Sequence, residues 1–238
     1  NFNSTIYSFN GATTITAKSG DTIDLGAGAA TQFLTSNDNI TFATGNIELA
    51  NGSDLTVDTG AEGGNITIGE IDGASQETVT LDAGTGTTSV GVIGSGTEIG
   101  VLTIGSSDNG GITLNGAITT DGAVTIDGPV TLATGAVSVT TANDAISFNH
   151  SIDGGQTLTL SSGSAAITFT GALGASTSLG GLTVNSAGAG NITFSSTIGD
   201  AENAGVVGTT AIGNAATNDL NFNSTIYSFN GATTITAK

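Results

Sequence analysis

Short triplets of an apolar, a hydroxyl and an apolar residue recur along the whole chain and fall into two alternating families. The first comprises NITF at 39–42, NITI at 65–68, GITL at 111–114, AISF at 145–148, AITF at 166–169 and NITF at 191–194. The second comprises LTV at 55–57, VTL at 79–81, LTI at 102–104, VTI at 124–126, LTL at 158–160 and LTV at 182–184. From a first-family triplet to the next second-family one the step is 12–15 residues, as in Ile40 to Leu55 and Ile146 to Leu158, and the return step is 9–11, as in Leu55 to Ile66, Leu158 to Ile167 and Leu182 to Ile192. One unit is therefore about 21–26 residues, a repeat length that marks a solenoid. Period-two alternation sends Ile40 and Phe42 to one face of a strand and Thr41 to the other. A single coil cannot bury its apolar face, but stacked coils can, each apolar pair lying about 4.8 Å from its counterpart in the next coil.

These spacings predict an all-β chain folded as a right-handed parallel β-helix, or β-solenoid, with about 21–26 residues per coil and roughly nine or ten coils per 220 residues. Gly, Asn and Asp turn the corners. One interior column is expected to hold Phe42, Phe148, Phe169, Phe194 and Phe222, with Ile68 and Leu114 in the coils between. Leu55, Val79, Leu102, Val124, Leu158 and Leu182 are expected on another wall. No window has the 3.6-residue apolar period of an amphipathic helix, so almost no helix is expected. The register is least legible from Val124 to Ile146, where VTI, VTL and VSV crowd together and one coil can be inserted.

The chain also begins again at its end: NFNSTIYSFNGATTITAK occupies both 1–18 and 221–238. With no initiator Met and a last strand-like run broken off at ATTITAK, the sequence reads as one complete solenoid repeat, 1–220, followed by the start of the next identical repeat, 221–238. Two copies on one stack would be displaced by nine or ten strand spacings, about 45 Å, mostly as a translation. Ile192 and Phe194 would then lie beneath Leu220 and Phe222. The alternative is a free-standing chain whose duplicated terminal strand pairs with, or swaps into, another copy.

Composition restricts the chemistry. Twenty acidic residues face only Lys18 and Lys238, for a net charge of −18. Nucleic acid and anionic membrane surfaces are poor partners for such a chain, because phosphate binding relies on Lys and Arg. The same charge keeps a long polymer soluble by self-repulsion. No stretch approaches 18 consecutive apolar residues, so no membrane insertion is expected in this segment. There is no Cys, and His150, in FNHSIDGG, is alone and reads as a solvated turn residue. With neither a nucleophile and base pair nor an evident acid/base dyad, no catalytic residue is nominated and the chain is not expected to be an enzyme.

Metal binding has a narrower basis. LTVD and VTLD put Asp58 and Asp82 at matching positions of adjacent coils, with Asp127 in VTID two coils on. Outward carboxylates about 5 Å apart repel, and a hard cation such as Ca²⁺ would relieve that. Asp58 and Asp82 are the candidate metal ligands; hydrated, splayed side chains are the competing reading. The outward threonines at 56, 80, 103, 125, 159 and 183 raise the idea of an ice-binding face, but the residue two places on is not a second Thr, and β-propensity accounts for them. Asn39 and Asn65, entering NIT strands at a corner, are expected to form a ladder.

The alternation of G-N-I-T-F with L-T-V, spaced by Gly, Ser, Ala and Thr, resembles the β-strand repeats of giant bacterial surface proteins of the filamentous-haemagglutinin and autotransporter-passenger class. That resemblance implies an extracellular location on a bacterial cell surface and a structural or adhesive role. The leading expectation is a section of a long, stiff, acidic fibre whose partners are neighbouring repeats and other copies of the fibre. The alternative is a module that binds calcium or glycan on one solenoid face.

Overall fold

The fold is that of a computed structural model, which describes residues 1–18, 20–26, 28–74, 76–105, 110–202 and 205–238. Among them lie 25 strands and no helix. Every strand pairing is parallel, as a coiled chain requires, since each turn returns in the same direction. The strands make a 10-stranded and a 15-stranded sheet. The larger sheet is two walls of one tube. Ile66–Asp72 and Thr88–Ile93 run round the corner between them and so belong to both. The molecule is thus a three-walled parallel β-solenoid.

The first wall stacks Ile6–Phe9, Thr31–Thr35, Leu55–Asp58, Val79–Asp82, Leu102–Gly105, Val124–Asp127, Ile146–Phe148, Ile167–Phe169, Ile192–Phe194 and Leu220–Phe222. It counts ten coils. The second wall begins with Thr13–Thr16 and Ile40–Thr44, continues through Ile112–Leu114, Val130–Leu132 and Ile152–Asp153, and thins to single bridges at Leu173, Ile198 and Tyr227. The third runs from Ile23–Leu25 and Ile47–Leu49 through Ile118–Thr120, Val137–Thr141, Thr157–Ser161, Gly181–Asn185 and Thr210–Ile212 to Thr233–Ile235. Register offsets between neighbouring coils run from 18 residues, Ile112 to Val130, below the expected 21, to 29, Ile198 to Tyr227. The longest coil therefore exceeds the expected 26.

The interior columns correct the sequence expectation. Val57, Leu81, Ile104, Ile126, Phe148, Phe169, Phe194 and Phe222 form one first-wall column. Phe42 is not in it: Phe42, Ile68, Val90 and Leu114 follow one another on the second wall. Leu55, Val79, Leu102 and Val124 share the first wall with Ile146 and Ile167, whereas Leu158 and Leu182 lie on the third. Both sequence families thus change walls between Val124 and Ile146, the first moving from the second wall to the first and the second from the first wall to the third. A gap of 12–15 residues is equally able to conceal the third wall in the early coils, as Ile47 and Ile71 do, or the second wall in the late ones, as Ile152 does. Spacing alone cannot tell these apart.

The interior is mainly aliphatic, with stacked rings toward one end. Phe148, Phe169 and Phe194 are buried, and successive centroids lie 5.8 and 4.7 Å apart with interplanar angles of 9° and 5°. Parallel in-register stacking imposes this geometry, because identical side chains one strand spacing apart lie ring over ring. Corners are closed by buried hydroxyls: Thr59 Oγ1 donates to the Gly64 carbonyl at 2.8 Å and Ser162 Oγ to that of Ala165 at 2.6 Å. Where coils approach most closely only glycine fits. A Cβ on Gly86 would lie 2.0 Å from the carbonyl oxygen of Gly64, and one on Gly110 would lie 1.9 Å from that of Gly86.

Candidate functional site

The register brings Asp58 and Asp82 side by side, as their spacing implied, at the outer end of the first wall. Gly105 and then Asp127 follow in the same row. Each of the paired carboxylates is occupied locally. Asp58 Oδ1 accepts from the N–H of Gly60 at 2.7 Å, and Asp82 Oδ1 from that of Gly84 at 2.9 Å. Both glycines have positive φ, 80° and 51°, so each Asp closes the tight turn that starts its corner. Asp127 Oδ1 accepts from Asn149 Nδ2 and lies 3.3 Å from His150 Nε2. Both side chains of that pair are about one-third exposed, and His150 lies at a bend between Ile146–Phe148 of the first wall and Ile152–Asp153 of the second. No three His, Asp or Glu side chains are gathered to hold a metal among the described residues.

A stronger acidic column lies on the outer face of the third wall, where sequence reasoning did not look. Asp24, Glu48 and Asp72 occupy one register position in three successive coils. Their signal was present in IDL at 23–25, IEL at 47–49 and IDG at 71–73, one coil apart. Their acidic centres set them outside both hydroxyl families. Asp24 Oδ1 accepts from Thr22 Oγ1 at 2.5 Å and Asp72 Oδ1 from Gly96 N–H at 2.8 Å, so these carboxylates also tie turns. Glu77 behaves differently: it is buried, and its two oxygens accept from Gly52 N–H at 3.1 Å and Ala74 N–H at 2.9 Å. This carboxylate joins two coils at an inner corner. In sequence, QET at 76–78 looks like any solvated turn.

The asparagine ladder is present, made through the backbone. Asn39 Oδ1 accepts from Asn65 N–H at 2.9 Å, and Asn65 Oδ1 accepts from Thr87 N–H at 2.8 Å, so each side chain caps the coil above. The outer first wall carries the hydroxyl row Thr56, Thr80, Thr103, Thr125, Ser147, Thr168 and Thr193. Thr159 and Thr183 stand on the third wall instead. A shallow groove of about 390 Å³ runs past Gln76, Val101, Asp121 and Asp144, bridged by a 2.8 Å bond from Gln76 Nε2 to Asp121 Oδ2.

The duplicated segment shows a property invisible in its sequence. Its internal geometry is the same in both copies: Phe2 meets Tyr7 edge to face at 4.8 Å, Phe222 meets Tyr227 at 4.9 Å, and Tyr7 and Tyr227 accept through their phenolic oxygens from Ser4 and Ser224 N–H. Its walls differ. In the first copy Phe2 bridges to Leu25 on the third wall, Tyr7 pairs with Phe33 on the first and Ile15 with Phe42 on the second. In the second, Phe222 lies on the first wall over Phe194, Tyr227 on the second over Ile198, and Ile235 on the third over Ile212. Ile192 and Phe194 do lie beneath Leu220 and Phe222. The expectation of a nearly pure translation is corrected: the copies differ by nine coils and one wall. The segment tolerates this because its own contacts form a self-contained corner followed by the plain strand TTI.

No protein-family model, curated protein or solved structure matches the chain. No helix among the described residues is long and apolar enough to cross a membrane.

Proposed function

We propose that the chain is a section of a long, rigid, acidic fibre exposed on a bacterial cell surface, with residues 1–220 as one tandem unit and 221–238 as the opening of the next. Its role is structural: it supplies reach and holds adhesive elements away from the cell. The observation that carries this reading is the duplicated segment at both edges of one continuous hydrogen-bonded stack. Residues 221–238 extend the same ladders as every preceding coil, and the next unit needs no interface other than backbone pairing. The strong negative charge suits a fibre that must stay dispersed. Membership of the filamentous-haemagglutinin and autotransporter-passenger class belongs to this proposal.

The test is to raise an antibody against NFNSTIYSFNGATTITAK, recover the intact polypeptide from its source cells and image it. Filaments whose lengths are multiples of about 45 Å, of mass far above 23.0 kDa and released by protease from intact cells, are expected. A single species of the unit mass, protected inside the cell, would refute the fibre.

A second reading, Ca²⁺ held by Asp58 and Asp82, draws on their observed register. Glycan binding is its companion on the same outer face. The turn-capping bonds already explain why Asp stands at both positions, and Ca²⁺ titration of the wild type against a variant with Asn at both positions separates the two roles.

A further inference from the structure

The two placements of the duplicated segment determine how successive units meet. On its lower edge the segment pairs with the last coils of a unit, Phe222 on Phe194, Tyr227 on Ile198 and Ile235 on Ile212. On its upper edge it pairs with the first coils of a unit, Tyr7 under Phe33 and Ile15 under Phe42. In a tandem array one segment makes both sets of contacts. Both are satisfied together only if the second unit is turned about the axis, so that its Phe33 stands on the second wall, above Tyr227, and its Phe42 on the third, above Ile235.

We infer that the upper edge of the stack is a docking surface for a second copy of this sequence turned one wall round, about a third of a turn per unit. The inference rests on the tandem reading proposed above. Chain length leaves no room for an unturned junction. Ten residues separate Ile212 on the third wall from Phe222 on the first, whereas bringing Phe222 to the third wall would take a whole further coil, and even the shortest coil here uses 18, Ile112 to Val130. Beyond the segment, the eight residues from Ile15 to Ile23 make one wall step, so the turn persists into the next unit. Each unit advances the rod by nine coils and a third, about 45 Å.

Any surface feature then winds around the rod. The row Asp24, Glu48 and Asp72 stands on the third wall of one unit, the first wall of the next and the second wall of the one after. It returns to its starting side only after three units, about 135 Å. A partner recognising that row meets it on every side of the fibre, and two fibres cannot keep one pair of faces in contact along their length.

Electron cryomicroscopy of a chain carrying residues 1–220 three times, followed by 221–238, decides the matter. The expected map is one unbroken three-walled rod in which the Phe148–Phe169–Phe194 ring stack moves to the next wall in each unit. An unbroken rod with the ring stack on one wall throughout would overturn the turn and leave the fibre reading intact. Separate stacks joined by flexible chain would overturn the tandem reading itself.

Discussion

Phe169 is the most informative side chain to remove. It is 1% exposed and sits between Phe148 and Phe194, with ring centroids 5.8 and 4.7 Å away and planes within 9° and 5° of parallel. Truncating a buried Phe to Ala costs about 3–5 kcal/mol through lost transfer and a residual cavity. A stacked pair adds about 0.5–1.5 kcal/mol beyond burial, and Phe169 takes part in two, which places Phe169→Ala near the top of the range at about 4–5 kcal/mol. Coils contact only their neighbours, so the loss should be confined to a few coils. Native-state hydrogen exchange is the suitable assay, because long repeat arrays do not unfold in one step. Amides of the local ladder, Thr170 bonded to Phe148 and Ser195 bonded to Phe169, should exchange about a thousandfold faster, at about 1.4 kcal/mol per decade. The amides of Leu55 and Val79, several coils away, should keep their protection. Acceleration below tenfold at Thr170 and Ser195 would refute the column assignment. Equal acceleration at Leu55 and Val79 would refute the locality argument.

Other side chains give sharper contrasts. Gly86→Ala forces a Cβ against the Gly64 backbone and should cost about 1–3 kcal/mol in thermal unfolding, whereas Gly155→Ala, with nothing within 4 Å of its Cβ, should change stability little. Glu77→Ala strips Gly52 and Ala74 N–H of their buried acceptor and should cost about 2–4 kcal/mol; Glu77→Gln, which keeps one oxygen, should cost less, and the order of the two by denaturant titration is the check. Asn65→Ala removes the acceptor for Thr87 N–H and should cost about 0.5–1.5 kcal/mol, read as faster exchange of that amide. Asn substituted together for Asp58 and Asp82 retains both turn-capping oxygens. If they are caps alone, millimolar Ca²⁺ should shift the melting temperature of variant and wild type equally; a rise in the wild type alone would establish the calcium reading.

What the sequence revealed and what it withheld follow from the kind of signal each feature leaves. Triplets such as ITF and LTV leave a period-two pattern, and the coil length leaves a second, slower period, so the parallel solenoid and the pairing of Asp58 with Asp82 were both legible. The number of walls was not. On the second wall of the late coils a single apolar residue, Ile152, Leu173 or Ile198, replaces a whole triplet, and one apolar residue among Gly, Ser and Ala has no period. The triplets therefore mark two walls of the three in any one coil, and Phe42 faces its expected column from another side of the tube.

The acidic residues make the complementary point. Asp24, Glu48 and Asp72 were spaced as regularly as any triplet and were passed over because their centres carry charge in place of a hydroxyl. On an outward strand position that substitution changes nothing about the fold: period-two alternation demands only that the central residue be polar. Glu77 could not be found this way, since its burial depends on Gly52 and Ala74 presenting N–H groups at an inner corner. The duplicated segment combines both lessons. Its eighteen residues encode a Phe–Tyr corner and a short strand, and these are formed alike in both copies. Its wall is set by how many residues precede and follow it. Position around a solenoid is a running count along the chain, so a segment identical at every position can still face a different way each time it recurs.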